Sequence, residues 1–243
     1  EVSSGDIKAN SVSIGKGANS VAGNTVLGES ALDAAVTGAD NTAIGFNSLT
    51  TNTSGANNTA IGRESLEANT TGGQGVAVGR KALESNTTGD NNTAVGHFAL
   101  GDNTEGGNNV ALGRNALAAN TTASNNTAVG YFAATSNTTG ANLTAVGQGG
   151  LQNNTTGDNN TTVGNGALQQ NTTADNNTAV GKGALGATTT GGFNIAVGST
   201  ALDANTTGAN NVAMGYAALG ANTTANENTA IGFASLDANT TGA

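Results

Sequence analysis

Asn92-Thr93-Ala94-Val95-Gly96 returns, with few changes, at one fixed interval along the chain. Its terminal glycine marks the series Gly28, Gly45, Gly62, Gly79, Gly96, Gly113, Gly130, Gly147, Gly164, Gly181, Gly198, Gly215 and Gly232, a seventeen-residue period with no insertion or deletion between members. A strict period of this length is the signature of a solenoid, in which each coil is one unit too small to bury a face alone. Working outward from the glycine, the consensus coil reads G-x-x-A-L-x-x-N-T-T-G-x-N-N-T-A-V. It holds two short apolar stations and two polar corners.

The first station has the β-branched bias of a strand. Residues such as Val95, Val129 and Ile231 are read as core-facing, which turns the preceding alanine the other way. On that reading Ala43, Ala60, Ala77, Ala94, Ala111 and Ala128 form a ladder too small to fill a core but suited to close approach by a second chain, and they are the expected subunit interface. The second station, Ala-Leu as in Ala82-Leu83, is read as a second strand, with a helical turn as the alternative. Asn and Gly at the corners fit tight turns, and in register the carboxamides are expected to stack as ladders.

Composition narrows the function classes. The chain has 243 residues, 9% charged and 3% aromatic, with no proline and no cysteine, so disulfides and thiolate metal sites are absent. Its net charge of −9 and lack of a basic stripe argue against nucleic acid or an anionic membrane as partner. No stretch approaches the roughly 20 apolar residues of a membrane span. Glu1-Val2-Ser3-Ser4 is not a signal peptide, and Thr241-Gly242-Ala243 stops in mid-repeat, so a segment of something longer is expected.

Residues 1–27 differ in period. Asn10-Ser11-Val12-Ser13-Ile14-Gly15 resembles the head repeat of trimeric autotransporter adhesins, and the N-T-A-V/I-G-x-x-A-L-x-x-N-T-T-G unit over 28–243 resembles a longer variant from phage tail-fibre-like and bacterial surface proteins. The resemblance implies an all-β, left-handed parallel β-solenoid (β-roll) with 17-residue coils. It also implies a side-by-side homotrimer and an extracellular, cell-surface or virion role in attachment to a host glycan or surface receptor.

Little in the chain points to catalysis. His97 is the only histidine and reads as a corner residue. Glu64 and Glu67 share a coil but read as solvated. Gly89-Asp90-Asn91-Asn92 and Gly157-Asp158-Asn159-Asn160 carry oxygen ligands on turns, yet calcium wants six to eight, so Asx-turn chemistry explains them. No enzyme activity, cofactor or metal is expected. The Asn-x-Thr triplets, as at Asn69-Thr70-Thr71, match glycosylation acceptors in form, although turn demands produce them anyway. Large residues one or two places after the glycine, Phe46, Phe98, Tyr131, Phe132, Tyr216 and Phe233, are the candidate ligand contacts. The leading expectation is a structural and adhesive fibre segment. The alternative is a monomeric ligand-binding solenoid, specifically ice binding through Thr42, Thr59, Thr93, Thr127, Thr178 and Thr229, an array interrupted at Val76, Val110, Ile195 and Val212.

Overall fold

The computed structural model describes residues 6–240 and 242, so Glu1–Gly5, Thr241 and Ala243 lie outside the described residues. The chain separates into two compact units, one ending at Ser124 and one beginning at Asn125. Both are parallel β-solenoid.

In the first unit β3 (Thr25–Gly28), β4 (Thr42–Ile44), β5 (Thr59–Ile61), β6 (Val76–Val78), β7 (Thr93–Val95) and β8 (Val110–Leu112) pair in parallel, each in register with its counterpart one repeat further on. The second unit repeats this with β9 (Thr127–Val129), β10 (Thr144–Val146), β11 (Thr161–Val163), β12 (Thr178–Val180), β13 (Ile195–Val197), β14 (Val212–Met214) and β15 (Thr229–Ile231). Each coil thus gives one short strand. Among the described residues there is no helix beyond a single turn at Ala18–Ser20.

The Ala-Leu station is neither strand nor helical turn. Its leucines take left-handed backbone, for example Leu49 (φ 51), Leu100 (φ 50) and Leu185 (φ 53), and so does the residue two places earlier, such as Glu64 (φ 60) or Lys81 (φ 61). Alternating the backbone in this way points successive N–H groups along the coil axis in opposite senses. The Lys81 N–H bonds the Arg63 carbonyl of the coil before (2.9 Å), and the Leu83 N–H bonds the Ala99 carbonyl of the coil after (3.0 Å). The station therefore stitches coils together as a strand does without adopting strand geometry. Each left-handed leucine costs about 1–2 kcal/mol, and its full burial offsets that by about 1.5–3 kcal/mol.

The strand alternates as expected, but in the opposite sense. Ala43, Ala60, Ala77, Ala94, Ala111 and Ala128 are all fully buried inside their own chain, whereas Ile61, Val95, Leu112 and Val163 lie on the surface. These alanines consequently cannot be a subunit interface. The interior is thin here: a Cβ added at Gly150 would lie 3.1 Å from Thr162 Oγ1, and 150 and 162 are the Ala-Leu-station position and the alanine-rank position of one coil. Two walls this close leave room for methyl groups. Leucine fills the wider part of every coil but the one from Gly130, and every Leu of the rank from Leu32 to Leu219 is buried.

Asparagines complete the interior. Asn52, Asn69, Asn86, Asn103 and Asn120 form a buried ladder in which each Nδ2 from Asn69 onward donates to the Oδ1 one coil earlier, at 2.8 or 2.9 Å, and also to a corner carbonyl. A second ladder runs beside the strands: Asn41 Oδ1 accepts from the Asn58 N–H (3.0 Å) and Asn58 Nδ2 donates to the Gly72 carbonyl (2.9 Å). The same two ladders recur in the second unit, as at Asn154 Nδ2 to Asn137 Oδ1 (2.8 Å) and the Asn194 N–H to Asn177 Oδ1 (2.9 Å).

Residues 1–27 depart from the expected shorter-period coils. Over the described part, β1 (Ile7–Ala9) and β2 (Val12–Gly15) run antiparallel, and β2 is antiparallel to β3. The adhesin-like Val12-Ser13-Ile14-Gly15 thus ends the sheet of its unit as a meander instead of adding a parallel coil.

Candidate functional site

Three surfaces carry the side chains that sequence reasoning singled out. The first is the outward face of the strands. Its two ranks are the threonine rank, half-buried at Thr42, Thr59, Thr93, Thr127, Thr144, Thr161 and Thr178, and the aliphatic rank, including Ile61 (38% exposed) and Val95 (39%) in the first unit and Val163 (42%) and Met214 (39%) in the second. Parallel pairing places successive members of each rank in register. The result in each unit is a strip of mostly β-branched side chains with no charged residue on the parallel strands β3 to β15.

The second surface is the rank just after the glycine. In the first unit it reads Glu29, Phe46, Arg63, Arg80, His97, Arg114, which gathers all three arginines of the chain. The Arg63 guanidinium lies 5.4 Å from the Phe46 ring centroid and its Nη2 is 2.7 Å from Glu64 Oε1. Arg80 Nη1 and His97 Nε2 are 3.5 Å apart. His97 is therefore a member of a row of cationic and aromatic side chains, with Arg80 and Phe98 beside its ring. Sequence reading missed this clustering because the arginines stand one and two whole repeats apart and adjoin only when the coils stack.

Next to that row, carboxylate oxygens of Glu64, Glu67 and Glu84 all come within 4.8 Å of one another. Lys81 stands among them, with its Nζ 2.5 Å from Glu84 Oε1 and 3.5 Å from Glu64 Oε2. Burial pushes the Glu64 carboxyl up, but the hydrogen bond and charge of Arg63, joined by Lys81, outweigh it and hold the group below its ordinary value. The Lys81 ammonium is pushed up, chiefly by its hydrogen bond to Glu84. Lys81 thus supplies the positive charge that this acidic group calls for.

The aromatics divide between the two places after the glycine. Phe98 and Phe132, at left-handed φ of 55° and 57°, are half-buried, and the Phe98 ring covers Gly101, whose added Cβ would lie 2.6 Å from it. Phe98 is packing. Phe46, Tyr131, Tyr216 and Phe233 are exposed, and Tyr216 and Phe233 stack on each other at 5.4 Å and 14°. Phe193, 61% exposed, lies at a different corner, where the usual residue is Asn, and sequence reading did not select it.

The third surface is a trough in the second unit, about 340 Å³ in volume. One end is closed by Tyr131 and Phe132, in edge-to-face contact at 4.3 Å and 88°. Gly149 and Gly166, both at φ 64°, form the floor where most other coils carry a side chain. Gln152 and Gln169 stand on one wall, and Gln148 and Asn165 on the other. Gln169 Nε2 donates to Gln152 Oε1 (2.8 Å), and Asn165 Nδ2 donates to Gln148 Oε1 (3.3 Å).

Asp90 and Asp158 act as turn residues, since Asp90 Oδ1 accepts from the Gly73 N–H and Asp158 Oδ1 from the Ala141 N–H, each at 2.7 Å. The asparagines of the corner triplets, Asn69 and Asn86 among them, have their amides buried in the ladder, so the folded chain presents no free carboxamide there for a sugar. No helix among the described residues is long and apolar enough to cross a membrane. Comparison of the chain with protein-family models, with curated proteins and with solved structures finds no match in any of the three.

Proposed function

We propose that this chain is a structural and adhesive segment of an extracellular fibre, of the kind carried by a cell-surface adhesin or a phage tail, and that copies of it associate side by side as a homotrimer. One observation carries the reading: the outward strand face is an uninterrupted strip of exposed and half-exposed aliphatic side chains along each unit. A contiguous apolar surface of this kind is costly in water and marks an association surface. The alanines are withdrawn from that role, and the aliphatic rank takes it over. Uniform coils without a convergent set of unlike catalytic groups suit a scaffold better than an enzyme.

Light scattering on the purified chain tests this. A mass three times the 23.3 kDa of one chain is expected, and the double variant Val163→Lys/Val197→Lys should shift it to the monomer without loss of folded structure. A wild-type mass of one chain would overturn the association reading.

A second reading has its own supporting observation. Half-buried threonines stand in register beside the exposed aliphatic rank on a parallel sheet, an array suited to ordering water in an ice-like lattice. It requires a monomer with this face uncovered. Thermal hysteresis in a monomeric sample, abolished by Thr93→Lys and Thr144→Lys, would favour ice binding over association.

A further inference from the structure

The trough between Tyr131 and Gln169 is lined by aromatic, carboxamide and glycine residues alone. In the first unit the same ranks include charged side chains, as at Arg63, Glu64, Lys81 and Glu84. Three successive coils carry glycine at the second place after the repeat glycine, Gly149, Gly166 and Gly183, and the first two of these interrupt the wall of side chains at the trough. The space is real: a Cβ added at Gly149 would meet Gln152 Oε1 at 3.2 Å, and one at Gly166 would meet Gln169 Oε1 at 3.7 Å. Any side chain there would occupy the floor and crowd the glutamines.

The walls present a defined set of polar groups. In each amide pair one N–H₂ and one oxygen are used internally. This leaves Gln152 Nε2 and Gln169 Oε1 on one side, and Gln148 Nε2 and Asn165 Oδ1 on the other, outside these two bonds. Each side thus offers a donor and an acceptor a short distance apart, a pattern that matches vicinal hydroxyls, since each hydroxyl both donates and accepts. At the closed end Tyr131 is 43% exposed and is held edge-on by Phe132, so an aromatic surface is available to the apolar C–H face of a ring. No Asp, Glu, Lys, Arg or His lines the trough. A volume of about 340 Å³ is at the small end of the range for ligand sites, roughly 300–1,000 Å³.

We infer that this trough is a binding site for an uncharged saccharide, with Tyr131 as stacking platform and the four carboxamides of Gln148, Gln152, Asn165 and Gln169 reading its hydroxyls. Uncharged walls set the class: a carboxylated sugar would be desolvated with no cation to meet it. The site rests on the attachment reading and deepens it by naming what is bound, but it is complete within one chain and does not require association.

The test is saturation-transfer NMR on the full chain with lactose, maltose and cellobiose, and with sialyllactose as the charged probe. At least one neutral disaccharide should receive saturation at its ring protons. Its affinity should fall roughly tenfold or more in Tyr131→Ala and in Gly149→Asn, and stay unchanged in Tyr216→Ala, an exposed aromatic of the same rank elsewhere. Asn is chosen because it occupies this left-handed position at Asn47 and Asn115, so the variant keeps the fold. Transfer to none of the neutral sugars, transfer only to sialyllactose, or binding that survives both Tyr131→Ala and Gly149→Asn would overturn the proposal. Light scattering on the same sample keeps this outcome separate from that of the trimer, because a monomer that binds sugar and a trimer that does not are distinct results.

Discussion

Position by position, the repeat tolerates change only where a neighbour compensates. Thr162 stands in the alanine rank, fully buried, and the facing position, alanine or serine in other coils, is Gly150. The extra atoms of threonine are taken up by the missing Cβ of the glycine. Gly150→Ala alone should destabilise by roughly 1–3 kcal/mol through overpacking, while Gly150→Ala with Thr162→Ala should fall well short of the sum of the two. Urea denaturation of the four-member cycle measures that coupling, and simple additivity would show that the pair is independent. A similar exchange is visible at Ala134 and Leu143. In an ordinary coil the leucine faces the asparagine rank, as where a Cβ at Gly75 would lie 3.6 Å from Leu66 Cδ1. In the coil from Gly130 the leucine position is Ala134 and the asparagine position is Leu143, so large and small have changed places. Phe193 is the uncompensated case: a bulky residue at φ 60° with its ring in water, at a corner where Asn is usual. Phe193→Asn should stabilise by up to about 1 kcal/mol, seen as a higher urea midpoint with an unchanged slope.

At the scale of elements, the asparagine ladders join the coils where apolar contacts are few. Removing Asn103 takes away donors to Asn86 Oδ1 and to the Gly106 carbonyl, and removes the Oδ1 acceptor of Asn120 Nδ2, which keeps its bond to the Ala123 carbonyl, all in the buried interior. Asn103→Ala should cost on the order of 2–4 kcal/mol from these unsatisfied groups. Asn103→Thr should cost clearly less, because the chain already places Thr188 in this ladder, where its Oγ1 accepts from Asn205 Nδ2 (3.2 Å) and donates to the Asn205 carbonyl (3.2 Å). Equal losses in the two variants, read from urea denaturation, would mean that the ladder bonds contribute little. Much of this element was legible in advance: buried ladders follow from Asn recurring in register with no charge to hold it at the surface. The left-handed leucine was not. Propensity offers strand or helix for Ala-Leu, and the alternating turn exists only because coils above and below accept its N–H groups.

For the molecule as a whole, charge and association set the behaviour in solution. Burial pushes the Asp203 carboxyl up, with its own N–H and that of Ala204 pulling it partway back, so the ionised group opposes folding above its folded value and that penalty fades as pH falls toward 3.8. Asp203→Asn should therefore raise the melting temperature at pH 7 by on the order of 1–2 °C, with the gain vanishing near pH 4. Glu64 behaves in the opposite sense: its ion pairs stabilise above the ordinary value of 4.5 and are lost as pH falls below it. Glu64→Gln should lower the melting temperature at pH 7, with the difference closing in acid. Two variants that shift together would contradict the assignment of burial to one carboxyl and ion pairing to the other. The candidate site was legible only in part, since Tyr131 and Phe132 stand out by type, whereas the glutamines and glycines that complete the trough come from successive coils and are ordinary residues singly. By itself the sequence determined the period, the strand at the Asn-Thr-Ala-Val-Gly station, the parallel register and the amide ladders, because each follows from identical residues recurring at a fixed interval. Only the tertiary structure decided which strand face is interior. Alternation of two defines two faces without ranking them, and the distance to the opposing wall, wide enough here for the methyl of Ala94 and too narrow for Val95, made the choice.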